Sequence, residues 1–301
     1  MKYVCVGHAT YDTTLPVNGY PKENLKYRIK EKKECGGGPA SNSAYLLAKW
    51  GCDTSFVGVI GNDYYGQCIV RELNHIGVNT EYLEKNSDIE TDSSYIICNI
   101  ENGSRTILTS KSAKIAKLSN PVEITNADYI LVDGEHYETA KEVLENNKNA
   151  ISVIDAGRCN EEVITLGKMA TYFICSKDFA EGFTKIKLDS SDRNNLVRAY
   201  EILKANFPGI VIITLEAEGS FTKTDTYKII PSIKVTAIDS TGAGDIFHAS
   251  FLYFITHTND LEKSIRLASI TSAISVTRVG SRYAIPELKE VLERFHEDDV
   301  I

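Results

Sequence analysis

Tyr129-Ile130-Leu131-Val132, Ile151-Ser152-Val153-Ile154 and Tyr172-Phe173-Ile174-Cys175 are three short apolar runs at regular spacing. Residues 137–147 and 161–168, which separate them, carry apolar positions at helical spacing. Strands without a polar face are buried on both sides, the pattern of a parallel sheet covered by helices. The same alternation extends outward. Tyr3 to Val6, ending at Gly7, Phe56 to Ile60 and Ile210 to Thr214 read as further buried strands. Helical patterns cover 66–76, stopped by Gly77, then 178–183, 192–206, 244–257, 260–277 and 286–297. Ala40, Ala44, Leu47 and Ala48 start another helix, which ends at Gly51.

Two stretches break this rhythm. In 11–33, Thr13, Leu15 and Val17 alternate with other residues, and Leu25 to Lys30 alternates apolar and charged. Residues 93–99 and 104–109 form a second such pair around Glu101-Asn102-Gly103. Period two with one polar face predicts exposed antiparallel strands, which do not fit inside the main sheet. They are expected to form a small β lid, made of about residues 11–34 and 92–111, on a single domain spanning 1–301. A further polar hairpin is predicted over 219–230.

Composition removes several functional classes. The chain has 301 residues, with 33 basic against 41 acidic side chains, for a net charge of −8. A nucleic-acid partner would call for a basic excess. No apolar run approaches the roughly 20 residues of a membrane span, and the start of the chain lacks a signal-peptide pattern. Seven scattered cysteines, none in C-x-x-C spacing, fit reduced thiols in the cytoplasm better than a disulfide framework or a zinc site. The six histidines show no metal-binding spacing, Trp50 reads as packing, and Glu297-Asp298-Asp299 as a solvated charge run.

The chemistry concentrates in two glycine-rich turns, each leading into a helix. The later one is Ile238-Asp239-Ser240-Thr241-Gly242-Ala243-Gly244-Asp245-Ile246-Phe247. Small residues at 242–244 open the backbone where the first N–H groups of a helix lack partners, which suits a phosphate. Asp245 beside that anion is in place to accept a proton from an attacking hydroxyl. A plain turn with Asp245 as helix cap fits the local pattern as well. No G-x-x-x-x-G-K-[S/T] occurs, and no G-x-G-x-x-G follows the first strand. The earlier turn, Gly36-Gly37-Gly38-Pro39-Ala40-Ser41-Asn42-Ser43, offers backbone contact, and Asn42 offers a donor and an acceptor suited to sugar hydroxyls; a flexible loop with Ser41 or Asn42 as helix N-cap fits the local pattern as well. Asp12, expected in a loop after the first strand, is a further hydroxyl-binding candidate.

Taken in order, these segments resemble the signatures of the ribokinase/PfkB family of carbohydrate kinases. Gly58-x-x-Gly61-Asn62-Asp63-x-x-Gly66 and Thr214-Leu215-Glu216-Ala217-Glu218-Gly219 add to the resemblance, which runs from Met1 to about Pro286. The resemblance implies a three-layer α/β/α sandwich, a β lid over the sugar, and ATP as donor with Mg²⁺. It implies Asp245 as catalytic base and Gly242, Ala243 and Gly244 as anion hole. Asp12, Gly37, Gly38 and Asn42 would contact the acceptor. Thr214, Glu216, Gly219, Ser176 and Arg105 would lie along the nucleotide. Asp239 and Thr241, with backbone from Ser275, Arg278 and Gly280, match a potassium site of the family.

The chain also departs from the family pattern. Where many members carry N-x-x-E, linked to magnesium, this chain has Ser176-Lys177-Asp178-Phe179, with Glu181 beyond. Ala40 to Ser43 and Ser176 to Asp178 look like ketohexokinases, and Gly242 to His248 looks like sulfofructose kinases. Of the latter's sulfonate clamp Lys26 fills one place, but Thr109 and Glu135 stand at others, which disfavours a sulfonate. The expectation is therefore phosphoryl transfer to a small sugar, a ketose first, by a homodimer paired through its lid. A nucleoside kinase of the same fold and a non-catalytic sugar-binding regulator are the alternatives.

Overall fold

A computed structural model describes residues 1–113, 118–119 and 123–298. The predicted charge run at Glu297-Asp298-Asp299 falls outside the residues whose side chains are described. Two sheets organise the chain. The larger contains β1 (Lys2–Val6), β4 (Asp53–Gly61), β5 (Leu83–Asn86), β8 (Tyr129–Val132), β9 (Ile151–Ala156), β10 (Tyr172–Ser176), β11 (Ile210–Thr214), β12 (Ser220–Lys223) and β13 (Tyr227–Ile230). Its order is β13-β12-β11-β10-β9-β8-β1-β4-β5. From β11 across to β5 every pairing is parallel, and only β12 and β13 run antiparallel, at one edge.

The three opening runs occupy the middle of this sheet, and each splits its side chains between two faces. Ile130, Val132, Ile154, Phe173, Cys175, Val211 and Ile213 pack on one face. They meet α3 (Tyr137–Asn146), α4 (Glu161–Gly167), α5 (Lys177–Thr184) and α6 (Arg193–Asn206). Leu131, Val153, Ile174 and Ile212 point the other way. They meet α1 (Pro39–Lys49), α2 (Tyr64–Ile76), α7 (Ala243–Thr258) and α8 (Leu261–Ser275). The short α9 (Ser281–Ala284) and α10 (Leu288–Asp298) close the chain. The result is the three-layer sandwich the sequence implied, because strands apolar on both sides need helices on both sides.

The smaller sheet has the order β3-β2-β6-β7 and comprises β2 (Thr10–Val17), β3 (Lys33–Gly37), β6 (Ser93–Asn99) and β7 (Ser104–Ser110). β2 pairs antiparallel with β3 and parallel with β6. Several expectations are corrected here. Leu25 to Lys30 is not a strand: its alternation has no partner strand, and Leu25, Tyr27 and Ile29 are exposed. Gly36 and Gly37 do not interrupt the strand but belong to β3. Asp12 lies within β2, not in a loop. The edge strand β5 is short and mostly polar, so nothing in Leu-Glu-Lys-Asn marked it.

On the α5–α6 side, Phe173 and Phe207 are fully buried and stack with ring centroids 3.7 Å apart. Truncating Phe173→Ala removes most of that packing and leaves a cavity. The expected loss is about 3–5 kcal/mol of unfolding free energy, read from urea denaturation.

Candidate active site

β1, β8, β9, β10 and β11 point their carboxyl ends to one side of the sheet, the side on which open α/β sheets bind ligands. A cavity of about 810 Å³ opens there. His8 and Asp133, in the turns after β1 and β8, line it together with Asp155 of β9, Ser176 of β10 and Thr214 of β11. The start of α7 supplies Gly242, Gly244 and Asp245, and β7 supplies Arg105. β1 lies between β8 and β4, so the chain leaves it in opposite directions at this point, which opens the crevice.

The turn before α7 is built for close approach. Gly242 takes a left-handed conformation at φ 74°, and a side chain on Gly244 would meet only open space. Gly244 therefore presents bare backbone to the cavity at a helix N-terminus, where amides and dipole favour an anion. Ala243 is turned into the protein, its carbonyl accepting from Ser272 Oγ at 2.9 Å. Arg105 Nη1 donates to Ser240 Oγ at 2.5 Å, and Ser240 Oγ donates to the Gly103 carbonyl at 2.9 Å. The tip of the second lid hairpin is thus docked on this turn.

Asp245 keeps a window on the cavity and is enclosed on its other sides. Asn42 Nδ2 donates to its Oδ2 at 2.7 Å. Burial pushes the Asp245 carboxyl above the ordinary carboxylate range; the Asn42 bond and the charge of His248 pull it back. Asp12 is buried, its Oδ1 has no hydrogen-bond partner, and its pKa is pushed up to about 6 by burial and by the charge of Asp245. An orphaned buried carboxylate oxygen calls for a donor such as a ligand hydroxyl.

The three consecutive glycines serve three protein neighbours. A Cβ on Gly36 would fall 2.2 Å from Arg282 Nη1, one on Gly37 2.0 Å from Asp12 Oδ2, and one on Gly38 2.5 Å from the His8 carbonyl oxygen. Gly38, at φ 90°, caps α1 without a side chain. Asn42 lies inside α1 and does not cap it.

Ser176 caps α5, its Oγ accepting from Phe179 N at 3.0 Å, and stands with Thr214 at the cavity wall. Glu216 opens a single 3₁₀ turn, Glu216–Glu218, beyond β11, and Gly219 caps it. Neither is among the residues lining the cavity. Asp239 is buried; its Oδ1 accepts from Thr241 N and Oγ1, and its Oδ2 from Gly280 N at 2.9 Å. Both of its oxygens are thus met by protein donors, which tie the turn before α7 to the start of α9. Among the described residues no cluster of three acidic, His or Cys side chains is arranged for a metal. Glu181 is committed elsewhere, to Lys187 Nζ at 2.6 Å and Leu188 N at 2.9 Å.

Two further groups were not singled out in the sequence. Asp133 Oδ2 accepts from His8 N at 2.9 Å and Ala40 N at 3.0 Å, and its Oδ1 accepts from Glu135 N at 3.0 Å. One carboxylate thereby fixes the ends of β1 and β8 and the start of α1. Asp155 pairs with His248, whose Nδ1 lies 3.3 Å from Asp155 Oδ2 and 2.6 Å from the Gly244 carbonyl oxygen. His248 Nε2 faces the Ile174 carbonyl at 3.3 Å. Every one of these partners is an acceptor, so each contact is made by a ring N–H. The Gly244 carbonyl it grips belongs to the peptide that carries the Asp245 N–H.

A half-buried carboxylate beside a glycine-rich helix start, at the carboxyl edge of a doubly wound sheet, is the arrangement of a phosphotransferase acting on a hydroxyl. The chain belongs to the pfkB family of carbohydrate kinases, whose pattern matches residues 1–288. It is 27% identical to ribokinase of Bacillus subtilis, over 97% of this chain and 99% of that one. It is 26% identical to a nucleoside kinase of Methanocaldococcus jannaschii, over 97% and 96% of the two chains. The fold is also that of Arabidopsis thaliana ribokinase, solved with ribose and ATP, with a TM-score of 0.77 at 21% identity over 97% of each chain.

The elevated Asp245 carboxyl gives an expected pH dependence. kcat/KM should fall on acidification at a pH where surface carboxylates are still ionised. Asn42→Ala removes a bond to the ionised form and should move that limb to higher pH. A pH profile of both enzymes measures the shift.

Proposed function

We propose that the protein transfers the γ-phosphoryl group of Mg·ATP to a hydroxyl of a small neutral sugar. The observation that carries this reading is Asp245, half-buried, bonded to Asn42 and next to the Gly242–Gly244 turn, where Gly244 offers open backbone to the cavity. The acceptor hydroxyl would lie between Asp12 and Asp245, giving its proton to Asp245 as phosphoryl transfer proceeds. That transfer is loose, so positioning and charge stabilisation dominate. The first-turn amides of α7 and Arg105 would hold the transferring oxygens, and Ser176 and Thr214 would flank the nucleotide. Glu216 and Gly219 would act on the nucleotide from beyond the cavity.

Magnesium would arrive with ATP. It dehydrates reluctantly and is bound largely through phosphates and water, and Asp133, Asp155 and Glu181 already have protein partners. Asp239 and Thr241, with backbone of Ser275, Arg278 and Gly280, would hold K⁺. A neutral acceptor follows from the charges around its end of the site. Asp12, Asp133, Asp155 and Asp245 all stand near the transfer point, and a second phosphate there would be repelled. The motifs at Ala40 to Ser43 and Ser176 to Asp178 favour a ketose. Ribose and nucleosides, the acceptors in the names of the relatives, are the other arms of the test. The cavity wall at Asp133 to Tyr137 is in place to discriminate among them.

The reading extends to the assembly and its setting. β7 is an edge strand of the smaller sheet, and Tyr95, Ile107 and Leu108 are exposed on it and its neighbour β6. A second copy of the chain would cover this lid surface, since exposed strand edges seek pairing. The whole chain would work as one domain with its lid, in the cytoplasm, where its seven free thiols stay reduced.

Asp245→Asn should lower kcat by about 10²–10⁴-fold while sugar binding persists; near-normal turnover would remove Asp245 as base. A coupled ATP assay over ketoses, pentoses, polyols and nucleosides identifies the acceptor, and ATP use independent of all of them would favour the regulator reading. Leu108→Lys should convert the dimer to a monomer in light scattering. A wild-type chain that runs as a monomer would refute the lid pairing.

A further inference from the structure

We propose that Arg282 is a positioning residue for the transfer reaction: it fixes the side-chain amide of Asn42 so that an N–H, and not the carbonyl, meets Asp245. Arg282 lies in α9 at the far end of the chain and is only 3% exposed. Its Nε donates to Asn42 Oδ1 at 3.3 Å, and Asn42 Nδ2 donates in turn to Asp245 Oδ2 at 2.7 Å. A guanidinium only donates and a carboxylate only accepts. Flipping the Asn42 amide would set its carbonyl against the carboxylate and its NH₂ against the guanidinium. The flipped amide is excluded from both ends at once, which a side chain at position 282 that could also accept would not achieve.

The guanidinium is itself immobilised. Nη1 donates to Glu72 Oε2 at 2.7 Å, Nη2 donates to Ser41 Oγ at 2.5 Å, and the group lies over the Tyr45 ring at 5.1 Å. Glu72 Oε2 also accepts from Gly36 N at 2.9 Å. The first glycine of the Gly36-Gly37-Gly38 run is thereby explained. A Cβ there would fall 2.2 Å from Arg282 Nη1, so Gly36 makes room for this arginine and not for a ligand. The chain Glu72–Arg282–Asn42–Asp245 starts outside the cavity and ends on the base. The other charged groups facing Asp245 are His248 on its own helix, Asp133 after β8, Asp155 on β9, Asp12 on β2 and Arg105 on β7. Among the described residues none of these is bonded to Asn42, and Arg282 is the donor to its carbonyl oxygen.

The inference rests on Asp245 as base, and the test separates the two. Arg282→Met is made together with Glu72→Gln, so that no carboxylate is stranded in the protein. Arg282→Lys keeps the charge but cannot reach Glu72, Ser41 and Asn42 from one planar group. Both proteins are checked by thermal melting, then assayed for kcat, both KM values and the pH profile. The expected result is a fall in kcat of about a hundredfold, the scale of a misplaced catalytic group. The KM for ATP should stay within about twofold and the acid limb should move to higher pH. In an Asn42→Ala background the same Arg282 changes should cost less than about twofold, because the amide they act through is gone. Gly36→Ala, which displaces the guanidinium, should reproduce the loss. Unchanged kcat in a folded Arg282→Lys protein overturns the inference, as do equal losses with and without Asn42. If Asp245→Asn retains turnover, the base assignment falls and this inference with it. If Asp245→Asn is inactive and the Arg282 variants are fully active, only this inference falls.

Discussion

The 2.7 Å hydrogen bond from Asn42 to Asp245 joins the first turns of two helices from opposite ends of the chain. It aims the carboxylate and favours its charged form against burial and the nearby charge of Asp133. Burial pushes the Asp245 carboxyl up, and a directed N–H from Asn42 and the charge of His248 offset that tendency without filling the cavity. The balance depends on the sheet. α1 and α7 pack side by side on one face of it, and only that packing brings residues 42 and 245 within bonding distance. The apolar runs in the middle of the sheet are thus a condition of the chemistry as well as of stability.

The carboxylates near the transfer point divide the work. Asp133 has three backbone donors and acts as a staple across three segments. Asp155 pairs with His248. Asp12 retains an oxygen with no partner, and Asp245 keeps an open side. Asp133 and Asp155 are therefore satisfied by protein although both line the cavity, while Asp12 and Asp245 keep capacity for a further partner. Buried carboxylates without fixed partners are costly, and their presence here is a mark of a binding site.

The sequence carried the main sheet because its strands are apolar on both faces, a pattern that needs no knowledge of neighbours. It misjudged Leu25 to Lys30 because alternation shows that a segment can form a strand, not that a partner strand waits for it. β5 escaped because an edge strand of four mostly polar residues resembles a loop. The site was half legible. Gly242, Gly244 and Asp245 announce themselves by their spacing at a helix start. Arg282, Glu72 and Asp155 do not, because each acts through a partner distant in sequence. The glycine run was visible but its meaning was not: each glycine yields space to an arginine, an aspartate or a carbonyl that only the folded chain supplies.

The thiols leave one practical opening. Five of the seven are buried and Cys52 is partly so, while Cys159 is exposed. It stands in the turn after β9, between Arg158 and Asn160, which both line the cavity. A fluorophore attached there would sit at the rim of the pocket without any engineered cysteine. The chain therefore contains its own reporter position, from which the filling and emptying of the site can be followed in real time.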